Sequence, residues 1–430
     1  MLILASCGKP SGFEAVDSYP EIYPDYVGVT VPEGIAELRF DMADGRRFTE
    51  SRRDMGDSIM VSVKAWNKGD RKGVEYKAFP IYRSSQAIDP YVAYRLIEPG
   101  YESWHDIGIY QRELASFDER AIVTNEATGK GCLNCHSFCN GDPENIVFHA
   151  RGRDGGTVFA FGDDAKIVNL ADVGPKRQGT YSAWHPGGRY LVFSSNTTHQ
   201  SFQIGGDQPI EVYDTASDII MVDLQTDSVT VVFDTPNTLE TFASWSDDGR
   251  TLYYCAAPAV ENVSLGRGGM RYSLMAIDFE DGRFIGEPRE VFSREDISVS
   301  FPRIKGDYLL FTASAYGTFP IWHREADLWL LNLRTGEAHS ADVLNSPEAE
   351  SYHSWSSNGR WVVFGSRRDD GRYTRLYIAS FDGNGHFGKP FMLPQKTTDF
   401  DMTRLKSYNI PEFLRSESPD RQDQTRQLFR

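Results

Sequence analysis

YSAWHPGGRYLVFSSN (181–196), FASWSDDGRTLYYCAA (242–257) and YHSWSSNGRWVVFGSR (352–367) are three copies of one pattern. Each has an aromatic residue, a small residue before a Trp, a polar turn ending in Gly-Arg, and then an alternating apolar strand. SFPRIKGDYLLFTAS (300–314) reads as the same unit with a shortened turn and Arg303 in the place of the Trp. Gly supplies the turn geometry and the flanking runs alternate with period two, so each copy is a β-hairpin. A second hairpin follows each time: DIIMVDLQTDSVTVVF (218–233), YSLMAIDFEDGRFIGEPREVF (272–292), DLWLLNLRTGEAHSADVL (327–344) and RLYIASFDGNGHFGKPFML (375–393). Four strands recurring at roughly 50 to 60 residues are the mark of propeller blades, whose faces are buried only when neighbours stack on them radially.

The pattern therefore predicts an all-β chain built on a closed β-propeller. NIVFHARGRDGGTVFAFGDDAKIVNL (145–170) reads as a degenerate earlier blade, and the segment from about 396 to 415 as a closing strand, giving five or six blades over 145–415. Upstream, short β-favouring runs such as YVGVTV, SIMVSVKAW and YVAYRLIE predict a small β-sandwich over 25–98. Residues 99–144 form the junction between the two β units, and 416–430 a charged, aperiodic, mobile tail.

Composition narrows the function classes. The formal net charge of -16 leaves no electrostatic footprint for a phosphate backbone, so nucleic acid is not an expected partner. Residues are 40% hydrophobic and 13% aromatic, too apolar for disorder and suited to packed sheets. No run is long and apolar enough to span a bilayer. Leu4-Ala5-Ser6-Cys7 resembles a bacterial lipobox, whose cysteine accepts a diacylglyceryl anchor, although a positively charged leader is missing and the apolar segment is short. With the Gly-, Pro- and Ser-rich residues 8–24, this predicts an exported chain tethered by lipid on Cys7 within the cell envelope, facing the periplasm or the outer surface.

Three of the five cysteines fall in GKGCLNCHSFCNG (129–141). A structural zinc site would need four ligands, with Cys132, Cys135 and Cys139 joined by His136, His149 or Cys255. An iron–sulfur cluster would need Cys255 as its fourth thiolate. A thiol redox site calls for a βαβ setting that is not predicted here, and a disulfide such as Cys135 to Cys139 would leave His136 without a role. CLNCH also matches the attachment motif of a c-type haem: Cys132 and Cys135 form thioethers with the porphyrin and His136 ligates its iron.

The chain resembles a family of bacterial TolB-like β-propeller lipoproteins that carry a c-type haem motif ahead of the blades. The likeness rests on YPDYVGVTVP, IDPYVAYRLIEPGYESWHDIGIYQREL, GCLNCHSFCN, VFHARGRDGGT, FPIWHREADLWLLNL, ESYHSWSSNGRWVVFGSRRDDGRYTR and KSYNIPEF, spread over most of residues 20 to 415. It implies export, a propeller and a CxxCH site, and is silent on reaction and partner.

The expected function is a monohaem electron carrier or haem-binding subunit acting with a redox partner in the envelope. Two residues are candidates for a second axial ligand, His149 and Met270, the latter in the Gly-rich loop SLGRGGMRYSLM. The alternative is a non-redox propeller that docks proteins or envelope glycans, with the cysteines in a disulfide or zinc site. His323, Glu325, Asp327, His353, Arg367, Arg368, Asp369, Asp370 and Arg375 lie at blade-strand ends, where they cap strands or line one mouth of the propeller. No GxSxG elbow, HExxH helix or Walker loop appears, so no catalytic residue is assigned.

Overall fold

Each repeat tryptophan is tied to the blade before it. In the computed structural model, which describes residues 9–98, 105–151, 156–168, 179–202, 210–233, 235–259 and 270–429, Trp184 Nε1 donates to the Ser137 carbonyl at 3.3 Å and Trp245 Nε1 to that of Ala183 at 3.3 Å. Trp355 Nε1 donates to the carbonyl of Arg303 at 3.0 Å. A buried indole needs an acceptor for its N–H, and here each acceptor lies in the inner strand of the preceding blade. The Trp thus packs the seam and pins it.

The described residues form six four-stranded antiparallel blades. Their inner strands are Ser407–Leu414, Leu133–Cys139, Thr180–Trp184, Thr238–Trp245, Ser298–Lys305 and Glu350–Trp355, for blades 1 to 6 in that order. Blade 1 draws its other three strands, Tyr91–Ile97, Gly108–Glu113 and Glu119–Thr124, from the far end of the sequence. The ring closes where Ser407–Leu414 meets Leu133–Cys139.

This arrangement redraws the sequence boundaries. The strand at 91–97 and most of 99–144 belong to blade 1 and the start of blade 2, so the cysteine cluster sits in a blade's inner strand and not in a junction between domains. Before it, Gly12–Ala15, Lys72–Glu75, Ser58–Trp66, Phe79–Ser84 and Thr30–Pro32 form a mixed sheet in that order, with Arg47–Asp54 also paired to Ser58–Trp66 and a two-stranded ribbon alongside. Val31, Phe40, Val61 and Phe79 of this layer share one core with Trp361 and Ile378 of blade 6 and Tyr94 and Tyr408 of blade 1. The layer covers the seam at which the two ends of the chain meet.

The C-terminal residues are docked rather than mobile. Ser418 N donates to Gln111 Oε1 at 2.7 Å, Arg421 N to the Ile122 carbonyl at 2.8 Å, and the helix Gln422–Leu428 brings Leu428 and Phe429 onto the core between blades 1 and 2. The charged composition concealed this because the contacts come from main chain and a few apolar side chains. Cys7 lies outside the described residues.

Candidate functional site

Every inner strand is broken at its middle by a β-bulge. At the bulge Cys135, Tyr181, Phe242, Phe301, Tyr352 and Ile410 take positive φ values of 51, 50, 52, 51, 48 and 49°. Left-handed backbone at a non-glycine residue costs about 1–3 kcal/mol, so its recurrence in all six blades marks it as part of the architecture. The side chains meet on the axis: Phe242 lies 4.5 Å from Tyr181 and 4.1 Å from Phe301, and Phe301 lies 5.0 Å from Tyr352, centroid to centroid. Cys135 is the thiol in this otherwise aromatic and aliphatic ring.

Cys135-His136-Ser137-Phe138 occupies the positions of Tyr181-Ser182-Ala183-Trp184 and Tyr352-His353-Ser354-Trp355. The motif that reads as CxxCH is also a copy of the repeat signature, with Phe138 for Trp. In blade 5 the register places Ile304, not Arg303, at the Trp position, because Ile304 pairs with Leu309 as Trp355 pairs with Val362.

The ring separates two chambers. One, about 550 Å³, is lined by Ser137, Ser244, Arg303, Ser354 and Glu412 among others. Glu412 accepts a hydrogen bond from Phe138 N at 2.9 Å, and burial pushes its carboxyl up to about 7 despite that bond and the Arg303 charge. The other is a basin of about 750 Å³, lined by Cys132, Asn134 and Cys135 together with Tyr181, Tyr352, Phe319 and Trp322. Arg95, Arg151, Arg324, Arg367 and Arg372 also reach it, against two glutamates, Glu98 and Glu348.

Both cysteines of the motif face this basin, and Cys135 is held as a thiol by burial, which raises its pKa. His136 is 2% exposed and does not line the basin. Its ring lies toward the Ile410 main chain of blade 1, and neither nitrogen has a well-formed hydrogen bond. Burial holds its pKa down to about 3, so the imidazole is neutral. His353, its counterpart in blade 6, is equally buried but bonds the Leu310 carbonyl through Nε2 at 2.9 Å.

The other expected ligands are placed differently. His149 pairs across the sheet with Asn134, one strand out from the basin wall, and burial lowers its pKa to about 4. Met270 is buried in the core with Leu239, Phe242 and Phe301 and does not line the basin. Cys139 packs with Trp184 in the seam of blades 2 and 3, and Cys255 with Leu239 and Leu274 in the core of blade 4. Among the described residues no three or more of His, Cys, Asp and Glu gather as a metal site.

The strand-end polar residues are largely consumed by the fold. His323, 1% exposed, lies 3.1 Å from Glu325 and 3.6 Å from Glu211; burial lowers its pKa, but the two carboxylates outweigh this and raise it to about 9. Glu350 accepts from Ser346 and Ser366 at 2.7 Å each and pairs with Arg368 at 3.1 Å. Arg375 donates to the Lys406 carbonyl at 2.7 Å, and Asp369 accepts from Tyr377 at 3.0 Å. Arg367 is the exception and opens on the basin. Sequence reasoning missed Arg95, Arg151, Tyr181 and Tyr352 as basin residues, though the shared HS of CHSF and YHSW was there to align blade 2 with the rest.

No family model matches the chain, and no curated protein matches it. Among solved structures, a chain of a nidogen/laminin complex is 10% identical over 76% of this chain and 100% of its own, with a TM-score of 0.45. Lignostilbene dioxygenase of Pseudomonas brassicacearum is 14% identical over 89% and 93%, TM-score 0.42. The β-propeller domain of the trilobed protease of Pyrococcus furiosus, described as having an open velcro topology, is 13% identical over 80% and 93%, TM-score 0.38. These are likenesses of outline and carry nothing about ligand or reaction. The chain's own strand order makes it a six-bladed β-propeller with an added N-terminal β layer.

Proposed function

We propose that the chain is an exported member of the TolB-like propeller lipoproteins, anchored by lipid on Cys7, and that it carries one c-type haem in the basin and passes electrons to a protein partner in the cell envelope. The observation that supports this most is that Cys132 and Cys135 open on one cavity of about 750 Å³, a size suited to a large organic ligand. A bound haem supplies one-electron chemistry at its iron.

The residues fit the group in part. Cys132 and Cys135 would hold its edge, and Tyr181, Tyr352 and Trp322, which line the same cavity, would give a planar body apolar contact and exclude water. His136 is neutral and has unmet ring nitrogens, as a free ligand would, but its ring is turned to the blade 1 seam and must leave it to serve the iron. Expression with export and c-type maturation tests the reading: peroxidase stain on a denaturing gel and one haem of added mass support it. No stain, with Cys132 and Cys135 unmodified, overturns it.

The second reading is a non-redox binding module whose cysteines form a disulfide. Its support is that His136 stands where His353 stands, a position this fold also fills for structural reasons. It predicts mature protein two mass units lighter than the free thiols, by about 2 Da, and no iron.

A further inference from the structure

We infer that the basin recognises its ligand by two anionic groups, through Arg95 and Arg367 on its walls and Arg151 and Arg372 at its rim. The inference deepens the haem reading by naming the chemistry that orients the ligand; it takes the planar body from that reading, but not the charge.

A chain with a net charge of -16 has placed five arginines around one cavity. Arg324 is satisfied by Glu348 at 2.8 Å. Arg95, Arg151, Arg367 and Arg372 have no ion pair among the described residues. Arg95 is half-buried and held in place through neutral acceptors, the Leu133 carbonyl at 3.2 Å and the Asn409 amide at 2.9 Å once that amide is turned to face it. Arg367 stacks on the Trp322 ring at 4.5 Å, and Asp370 and Glu348 attract it only from a distance. The Nε atoms of Arg95 and Arg367 are both shielded from solvent without an acceptor.

Removing a guanidinium from water without a counter-charge is unfavourable, and the planar fork is suited to a carboxylate or phosphate. Both guanidiniums are fixed before a ligand arrives, one by main chain and amide, the other by an indole face. Tyr181, Phe319, Trp322 and Tyr352 line the same cavity and favour a ligand with an apolar or planar body over a compact, fully hydrated anion. The ligand class is therefore an aromatic or otherwise apolar body with two anionic substituents.

Metal-free protoporphyrin IX, which has two carboxylates, and its dimethyl ester are the probes, used on the full chain. Neither needs iron, and with Cys132→Ala/Cys135→Ala neither can be held by a thioether. The acid should bind at least about tenfold more tightly than the ester to the unmodified chain and to the double cysteine variant alike. Arg95→Gln and Arg367→Gln should each reduce that preference and together abolish it. Equal binding of acid and ester, no binding of either, or a preference that survives both arginine changes in folded protein overturns the inference. The comparison on the unmodified chain decides even if the variants fail to fold. A chain that prefers the acid but never acquires covalent haem removes the haem reading and leaves this one standing.

Discussion

Cys135-His136-Ser137 in blade 2 and Tyr352-His353-Ser354 in blade 6 are the same three positions of the same bulged strand, and they have different chemistry. In blade 6 the aromatic ring fills the axis and the imidazole closes a hydrogen bond across the seam to Leu310. In blade 2 a thiol replaces the ring and the imidazole faces the Ile410 main chain without a well-formed hydrogen bond. The fold therefore explains why a histidine can stand there, and not why this one is left unsatisfied. An unpartnered buried polar group costs about 1–3 kcal/mol, and blade 2 carries that cost beside the thinnest part of the axial ring.

The pair of alanine variants breaks or sharpens this contrast most directly. His353→Ala loses a buried hydrogen bond and leaves a cavity, and should cost about 2–3 kcal/mol of unfolding free energy in urea. His136→Ala in the haem-free chain leaves a like cavity but breaks no well-formed hydrogen bond, and should cost about 1 kcal/mol less than His353→Ala. Equal costs would mean that His136 has a partner after all.

A smaller effect is expected beside it, where Glu412 accepts the blade 2 hydrogen bond from Phe138. Its folded pKa, about 7, lies above the ordinary 4.5. The stabilisation of the neutral carboxyl is thus complete below the ordinary value and lost as pH rises through about 7. Glu412→Gln cannot ionise, so it should gain about 1–2 kcal/mol over the parent chain at pH 8 and little at pH 4. A gap that is independent of pH would show that the carboxyl ionises alike in the folded and unfolded chain and that burial does not raise its pKa.

The smallest change is expected from Cys135→Phe, since Phe242 and Phe301 hold the same backbone at the same ring position. Stability should stay within about 1 kcal/mol while the basin shrinks and porphyrin binding falls. A collapse in stability instead would show that the ring needs the thiol's small volume on that side.

The blades were legible where the Trp and the Gly-Arg turn recur, because a seam-pinning indole and a tight hairpin leave a fixed spacing. Blade 1 was not, since its inner strand, Ser407–Leu414, comes from the other end of the chain, and no local pattern records that pairing. Its outer strands accordingly looked like part of a sandwich. Blade 2 was half hidden because Phe138 stands for Trp and the CxxCH spacing overlies the repeat signature. The arginines were invisible for a different reason: Arg95 and Arg367 are 272 residues apart, and only the closure of the ring brings them to one cavity.

Closure by Ser407–Leu414 also sets an order of events. The strand that carries Cys135 and His136, with Cys132 just before it, cannot be sealed against its neighbour until residue 414 has emerged, so it waits with one edge bare while nearly the whole propeller is made. Any group joined to those thiols during that interval meets an accessible, pliable strand; one that arrives later meets a finished wall. The last strand made is the latch on the ring.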